Sequence, residues 1–180
     1  MIPPTFKGLR TRASRPLLDG HSFSNETCTL KSKPDFTLII PRTPEELEAY
    51  HMLRYRTLRK PWNQPSTADQ PDDDDTATHC AIRDESSAAL VAVARLHFNA
   101  PEQAQIRLMG VDEAFRGQGL GRMMMEHLEG FAREQGADTM VLHARDYAVG
   151  FYEKLGYATV EASYLLFDEI QHVLMQKSLV

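Results

Sequence analysis

Three closely spaced glycines constrain this chain more than any other feature of its sequence. They are Gly117, Gly119 and Gly121 in the stretch RGQGLG, directly before a run with helical periodicity. Glycine destabilises a helix interior by roughly 1 kcal/mol relative to alanine, so these glycines do not serve the helix itself. A turn without side chains at a helix start leaves backbone amides available, and such amides bind phosphate with help from the helix dipole. The sequence therefore predicts a phosphate-binding turn.

The segments around this turn predict an α+β fold. In the second half of the chain, segments whose hydrophobic residues recur every two residues alternate with segments in which they recur every 3.6 residues. The first half is rich in predicted strands. Strands are predicted at 36–41, 79–84, 89–98, 105–112 and 139–144, with a final pair at 157–167 and 171–179. We therefore expect a mixed, mostly antiparallel sheet flanked by helices.

Three helices are predicted, each with its own start or stop signal. Thr43, Pro44 and Glu46 form a capping box with proline at the first helical position. The helix after the glycine turn is predicted to end at Gly136, and Asp146 to cap a short helix that Gly156 stops. An apolar stripe on the middle helix is predicted from Leu120, Met123, Met124, Leu128 and Phe131.

Charge and cysteine content exclude several classes of function. The net charge of −5 and the pI of about 5.8 do not favour nucleic acid or an anionic membrane as a partner. No apolar run approaches the roughly 20 residues that cross a bilayer. Cys28 and Cys80 lack a C-x-x-C pattern and favour free thiols in a reducing compartment, so we expect a cytoplasmic protein.

Two segments are expected to lie outside regular structure. Residues 1–35 are basic and are expected to form a flexible N-terminal extension, which leaves 36–180 as one domain. Residues 59–78 contain three prolines and the run Asp72–Asp75. This run lacks the ligand spacing of a calcium loop and is expected to be a solvated acidic loop. It could attract cationic amines such as polyamines or aminoglycosides.

The glycine pattern excludes two common phosphate-binding motifs. A Walker A loop requires Lys-Ser or Lys-Thr after its last glycine, and a dinucleotide fingerprint requires G-x-G-x-x-G. Neither is present, since the spacing here is G-x-G-x-G. The remaining pattern is R-x-x-G-x-G, beginning at Arg116 and followed by Arg122, and these two arginines add positive charge for a pyrophosphate.

The sequence resembles the GNAT superfamily of acyl-CoA-dependent N-acetyltransferases. Its R-x-x-G-x-G turn is followed by LHARDYAVGFYEKLGY at 142–157, which is similar to that family's strand followed by A-x-x-F-Y-x-x-x-G-[FY]. A small, poorly characterised bacterial subgroup of this family has segments similar to HMLRYRTLRKPWNQP (51–65) and EIQHVLMQK (169–177). The resemblance covers roughly 36–180. The chain departs from the family at Gln171, Leu108 and Asp146, where proline, arginine and asparagine are more usual.

The resemblance implies a sheet whose central strands splay apart to hold acetyl-CoA. The backbone of the strand would pair with the pantetheine arm, and the amides of the glycine turn would hold the pyrophosphate. The cofactor-binding residues implied are Met109, Gly110, Val111, Arg116, Gly117, Gln118, Gly119, Leu120, Gly121, Arg122, Asp146 and Phe151. No metal cofactor is expected, and a homodimer is compatible with the resemblance.

The resemblance also implies direct attack of a primary amine on the thioester in a ternary complex. Tyr152 matches the family's usual acid for the leaving thiolate, and its alternative role is a core aromatic. For the base, His172 is preferred, with Asp112, Glu113 and His143 as alternatives, and a water chain remains open. Neither cysteine occupies a motif position, so covalent catalysis through cysteine is not expected.

Two other functions fit parts of the same pattern. On the same fold the chain could be a non-catalytic acyl-CoA sensor or interaction module. On a different fold, RGQGLG could be the nucleotide-phosphate loop of another enzyme. Amine-dependent release of CoA would distinguish the enzyme from the sensor. Competition between ATP and CoA would show whether RGQGLG binds a nucleotide or acyl-CoA.

Overall fold

The computed structural model describes residues 35–66 and 74–180, and there the chain forms a seven-stranded sheet with three α-helices. The strands are β1 (Phe36–Ile39), β2 (Thr78–Asp84), β3 (Leu90–Ala100), β4 (Gln103–Val111), β5 (Thr139–Arg145), β6 (Ala158–Leu166) and β7 (Ile170–Ser178). The helices are α1 (Pro44–Leu58), α2 (Leu120–Glu134) and α3 (Val149–Glu153). The strands lie in the order β1-β2-β3-β4-β5-β7-β6, and only β4 and β5 run parallel. The predicted α+β fold with a mixed, mostly antiparallel sheet is confirmed.

Each face of the sheet is covered by a different helix. On the face that we call the α2 face, the helix α2 packs through residues such as Met124 and Leu128 on Ile106 and Leu142. On the opposite face, the α1 face, Tyr50 and Leu53 form a smaller cluster with strand residues of β2 and β3. The Tyr50 hydroxyl donates to the carbonyl of Ala94 at 2.9 Å. These two layers bury the centre of the sheet from both sides.

The capping box of α1 and the glycines that end α2 and α3 act as predicted, whereas Asp146 does not cap α3. The Thr43 hydroxyl accepts from the Glu46 N–H at 3.2 Å, and the Glu46 carboxylate accepts from the Thr43 N–H at 3.3 Å, so the capping box is complete. Gly136 and Gly156 follow α2 and α3 with φ of 95° and 90°, which glycine adopts without strain. No helix within the described residues is long and apolar enough to cross a membrane.

The apolar stripe of α2 is rotated relative to the prediction. Leu120, Met124 and Leu128 are fully buried, whereas Met123 and Phe131 are only partly buried against the core. The additional fully buried residues are Met125 and Ala132. Met125 was missed because three consecutive methionines satisfy more than one helical phase equally well.

The acidic loop is not simply solvated, because Asp74 is bound into the α1 face. Its carboxylate accepts from both terminal nitrogens of Arg54, at 3.0 and 2.9 Å, and forms an ion pair with Arg95 at 3.0 Å. Both arginine side chains are fully buried, and the Asp74 side chain is 14% exposed. Two desolvated guanidinium groups require such a counter-charge, so this aspartate is structural. Asp72 and Asp73, like the extension 1–34, lie outside the described residues.

The central strands separate halfway along their length. The parallel ladder between β4 and β5 runs from Gln103 and Thr139 to Ile106 and Leu142, where it ends. At the same point the register between β3 and β4 shifts, and Leu108 adopts a φ of 52°, which is uncommon for a residue other than glycine. The bulge bends β4 away from β5. This is the splay that the resemblance implies.

Close contact between α1 and β4 requires the glycine at position 110. A Cβ added to Gly110 would lie 2.4 Å from the Thr57 Oγ1 and 3.0 Å from its Cβ. The Thr57 hydroxyl donates to the Leu53 carbonyl at 2.8 Å, so it is held against its own helix. Within the described residues, Gly110 therefore sets how near the end of α1 lies to the splayed strand.

We expect Gly110→Ala to lower the free energy of unfolding by about 1–3 kcal/mol, the usual cost of overpacking a filled site. Gly130→Ala is the matched control, since a Cβ at Gly130 in α2 meets nothing within 4 Å. Alanine there should raise stability by up to about 1 kcal/mol. Urea denaturation of both variants measures the difference. Equal effects of the two substitutions would contradict the packing role of Gly110.

Candidate active site

The splay between β4 and β5 opens into a cavity of about 440 Å³. Ile106 and Leu142, the last paired residues of the two strands, line its base. The lining residues are Thr57, Leu58, Arg59, Ile106, Arg107, Leu108, Met109, Gly110, Val111, Arg116, Leu142, His143, Arg145, Tyr147, Ala148, Tyr152, Tyr164, Leu166 and His172. Because the backbone edge of β4 beyond Ile106 has no β5 partner, it is available to a ligand in this cavity.

The cavity joins the two faces of the sheet. Residues of β5 alternate between faces, so His143 and Arg145 share one face while Leu142 points to the other. The Arg145 guanidinium donates to the carbonyl of Leu58, the last residue of α1, at 3.1 Å, which identifies this as the α1 face. His172 pairs with Arg145 across the β5–β7 ladder and therefore faces the same way. Tyr152, on α3, packs against the core of the α2 face.

The glycine turn presents an uncapped helix N-terminus. Gly117 and Gly119 have φ of 77° and 82°, so both use the left-handed backbone conformation that favours glycine. Gly119 is the N-cap of α2 and supplies no side chain to cap it. The first helical hydrogen bond runs from the Met123 N–H to the Gly119 carbonyl at 3.0 Å. The three amides between these residues therefore precede the helical hydrogen-bond pattern and can bind an anion.

Ten of the twelve predicted cofactor-binding residues fall into two groups, and Asp146 and Phe151 belong to neither. Met109, Gly110, Val111 and Arg116 line the cavity. The other residues of the turn, 117–122, lie at the start of α2, directly after Arg116 in the chain.

The predicted residues at the glycine turn, together with Phe151 and Asp146, differ in what their side chains offer a ligand. The Leu120 side chain is buried in the core, so only its backbone is available. Arg122 is exposed and lies 4.0 Å from Glu126. A Cβ on Gly121 would meet the Phe151 ring at 3.1 Å, which places Phe151 against the turn. Asp146 begins a short 3₁₀ turn before α3 instead of capping α3, and its carboxylate accepts from the Tyr147 N–H at 2.7 Å.

Tyr152 reaches the cavity from the α2 face. Its hydroxyl lies 3.9 Å from the Met109 sulfur, and its ring is edge-on to Phe151 with centroids 4.9 Å apart. Burial raises the pKa of Tyr152 to about 12, although the positive charge of Arg145 opposes this effect. The phenol is therefore protonated at neutral pH, and it can donate a proton or a hydrogen bond to a group in the splay.

His172 is buried on the other face of the cavity. Its Nδ1 lies 3.0 Å from the Ile170 carbonyl, an acceptor, so Nδ1 carries the proton and Nε2 keeps a lone pair. Its ring stacks on Tyr164 at 4.5 Å with an interplanar angle of 19°. Burial lowers the pKa of His172, with the Ile170 carbonyl opposing the shift. The imidazole is thus held in its neutral form, which is the form that can accept a proton.

The other three candidate bases differ in whether they line the cavity. His143 lines the cavity, with its Nδ1 2.7 Å from the Ser163 hydroxyl, and burial lowers its pKa. Asp112 and Glu113 do not belong to the lining. The Asp112 carboxylate forms an ion pair with Arg56 and accepts from the Ala114 N–H, while Glu113 is exposed. Of the four candidates, only the two histidines reach the cavity.

Several lining residues were not predicted. Tyr164 contacts both histidines, and Arg59, Arg107 and Tyr147 complete the wall with Arg145. Alternation along β5 already places Arg145 beside His143 in the sequence. Tyr164 had no such signal, because β6 is exposed over most of its length and its contribution depends on a register shift in its pairing with β7.

Comparisons with known proteins agree on one family. A family model described as Acetyltransferase (GNAT) family matches residues 46–157. A Bacillus subtilis (strain 168) protein, provisionally named an acetyltransferase, is 38% identical over 91 residues, which cover 45% of this chain and 61% of that protein.

Solved structures share the fold. The crystal structure of an acyl-CoA N-acyltransferase from Pseudomonas aeruginosa is 27% identical with a TM-score of 0.64, covering 79% of this chain and 98% of that one. A provisionally named N-acetyltransferase from Lactobacillus plantarum is 22% identical with a TM-score of 0.72, covering 81% and 99%. At the lower identity the likeness concerns the fold alone.

We expect the free energy of unfolding to fall as the pH drops below about 6.5, the ordinary pKa of histidine. Burial lowers the pKa of His172, and also those of His79, His127 and His143, so the unfolded chain binds more protons than the folded one there. His172→Asn should make the loss of stability between pH 7 and pH 5.5 smaller. Urea denaturation at each pH measures it.

The control for this measurement is Glu46→Gln. The backbone N–H groups of Arg42 and Thr43 lower the pKa of the Glu46 carboxyl below 4.5, so its contribution is lost only at more acidic pH. The slope between pH 7 and pH 5.5 should stay the same in this variant. If His172→Asn also leaves the slope unchanged, His172 is not held neutral in the fold.

Proposed function

The chain belongs to the GNAT acetyltransferase family, and from that premise we propose that it moves an acetyl group from acetyl-CoA to a primary amine by direct attack in a ternary complex. The observation that carries the proposal is the splay. Its cavity has an unpaired strand edge and a partly buried tyrosine on one side and two histidines on the other, and the glycine turn before α2 follows directly after Arg116 of the lining. An acyl donor and an amine can therefore meet in it from opposite faces of the sheet.

Acetyl-CoA would be held mainly by backbone groups. The amides at the start of α2 suit its pyrophosphate, with Arg116 and Arg122 adding charge-assisted hydrogen bonds. The pantetheine arm would lie along Met109–Val111, where the edge of β4 lacks a ladder partner. This path leads the thioester into the splay, where the amide near Val111 can polarise its carbonyl. No metal takes part in this scheme.

The transfer itself needs two proton movements. The amine nitrogen bonds to the acetyl carbon, the carbon–sulfur bond breaks, and the CoA thiolate takes a proton. We assign Tyr152, whose hydroxyl lies beside Met109, as the donor of that proton. A thiol has a pKa of roughly 8.5 in water, below the value of about 12 for this phenol. Desolvation in the cavity raises the pKa of the thiol as well, so the difference is smaller at the moment of transfer.

His172 would take the proton that the attacking amine must lose. Its Nδ1 proton is directed at the Ile170 carbonyl, which leaves Nε2 to accept. Its lowered pKa makes the neutral form dominant at neutral pH, so no prior deprotonation is needed. His143 has a similar environment and is the second choice for this role.

We expect Gly117→Ala to weaken acetyl-CoA binding by about tenfold or more, because a methyl group would stand where the pyrophosphate approaches the backbone. Gly136→Ala is a closely matched control. Both glycines have positive φ and open space where a Cβ would stand, but Gly136 lies at the opposite end of α2. Isothermal titration with acetyl-CoA measures the two dissociation constants, and an equal effect on both would contradict a phosphate site at the turn.

We expect Tyr152→Phe to lower kcat by about 100-fold or more, the usual contribution of a positioned acid, while the dissociation constant for acetyl-CoA stays nearly the same. Tyr55→Phe is the control, since Tyr55 lies on α1 outside the cavity lining. The rate of free-thiol release from acetyl-CoA measures kcat. An unchanged kcat would remove Tyr152 from the mechanism.

The same assays separate the enzyme from its alternative. Tight binding of acetyl-CoA with no free CoA released across a broad panel of amines would indicate an acyl-CoA sensor or interaction module on this fold. Competition by ATP in place of CoA would indicate a nucleotide site at the glycine turn.

A further inference from the structure

The cavity wall carries positive charge and no negative charge among its described residues. Four arginines line it, Arg59, Arg107, Arg116 and Arg145, and the described lining contains no aspartate or glutamate. Guanidinium groups stay protonated at every physiological pH. The two histidines of the wall are held neutral by burial, so they add no positive charge. The arginines are therefore the charged side chains of the described lining.

These arginines divide between the two sides of the site. Arg116 directly precedes the glycine turn and belongs with the proposed pyrophosphate site. Arg145 is on the α1 face, held by the Leu58 carbonyl at 3.1 Å and by the Tyr147 hydroxyl at 2.7 Å. Arg59 follows α1 directly, with its guanidinium 5.7 Å from the Phe167 ring. Arg107 is the first residue of β4 after the ladder with β5 ends.

Tyr164 marks where the fields of three of these arginines overlap. Burial raises the pKa of this phenol, and Arg107, Arg59 and Arg145 each act in the opposite direction. Tyr164 itself stacks on His172 and lies 5.3 Å from the His143 ring, centroid to centroid. Three cations thus lie within electrostatic range of one polar atom, beside the two candidate bases.

Three carboxylates close to the cavity in the described chain have partners of their own, although the charge of Asp146 reaches His172 and acts to raise its pKa. Asp146 accepts from the Tyr147 N–H, and Asp112 is paired with Arg56. Asp74 of the acidic loop is bound by the buried Arg54 and Arg95. None of the three lines the cavity.

We infer that the amine acceptor carries a carboxylate, bound on the α1 face by Arg59, Arg107 and Arg145 near Tyr164. The inference rests on the proposed function, since it names the acceptor class of that reaction. Guanidinium groups bind carboxylates through charge-assisted and often paired hydrogen bonds. A polyamine or aminoglycoside brings several positive charges to a wall that repels them. The same field lowers the pKa of the acceptor's ammonium group, which favours the neutral amine needed for attack.

The size of the cavity restricts the acceptor further. Its 440 Å³ must hold both the end of the pantetheine arm and the acceptor. This volume is near the lower end for small-molecule sites. The acceptor is therefore a small amino carboxylate, with its amine directed toward the thioester and its carboxylate toward Tyr164.

The test compares amino acids with their uncharged esters and with polycationic amines. The probes are γ-aminobutyrate, β-alanine and L-glutamate, each beside its methyl ester or dimethyl ester, with spermidine and kanamycin as polycations. Thiol release from acetyl-CoA gives kcat/KM for each. We expect each acid to exceed its ester by about tenfold or more, the effect of one charged hydrogen bond. The polycations should react more slowly than the esters.

A variant links this preference to the proposed wall. Arg107→Gln removes one charge at an exposed position. It should lower kcat/KM for the best acid by about tenfold relative to the unsubstituted protein. The kcat/KM for the corresponding ester should change by less than about twofold. Arg107→Lys should recover part of the loss. Arg83→Gln is the control, because Arg83 lies on β2 outside the cavity lining and pairs with Glu46 of α1. This substitution should leave kcat/KM unchanged for both the acid and the ester.

The outcomes separate this inference from the proposed function. Faster transfer to esters or polycations than to acids, or an equal loss for acid and ester in Arg107→Gln, would overturn the carboxylate acceptor while the transferase stands. If no amine releases CoA, the transferase fails, and calorimetry of γ-aminobutyrate with the CoA-saturated protein decides the anion site. Binding that weakens in Arg107→Gln would support that site, and absent or unaltered binding would overturn it.

Discussion

Two parallel strands separate after Ile106 and Leu142, and most of the chemistry follows from that separation. A sheet interior normally satisfies every backbone hydrogen bond, so an unpaired edge within it is costly unless a ligand or water fills it. The register shift and the positive φ at Leu108 bend β4 out of the sheet and keep the edge open. Strain of this kind persists only where the surrounding packing enforces it, here by helices on both faces.

The packing of α1 fixes the side of the cavity where we propose that the acceptor binds. Gly110 allows the end of the helix to approach β4 closely, and Asp74 binds two buried arginines beneath its middle. Arg145 then ties the last carbonyl of α1 to β5. Because Arg59 directly follows α1, these contacts determine where that guanidinium lies. Structural ion pairs on this face thus help to position the arginines that line the cavity.

The glycine turn and the elements around it could be predicted from the sequence because their signals are local. A capping box, glycines at turns and an alternation of apolar residues each depend on a few neighbouring positions, and these predicted the helices, the strands and the glycine turn. Tyr152 and His172 were chosen from motifs, and the structure brings both to one cavity. The errors arose where the deciding partner is distant. Asp74 became structural through Arg54 and Arg95, at separations of about twenty residues along the chain.

The sequence by itself determined the class of fold, the order of its elements and the uncapped helix start at residues 117–121, since each rests on backbone preferences of nearby residues. Only the tertiary structure decided which side chains meet in the splay. Tyr164 joins His143 and His172 through an irregular strand pairing, and three arginines from three different segments converge beside it. Such convergence is set by sheet register and helix packing, which depend on contacts between residues far apart in the chain.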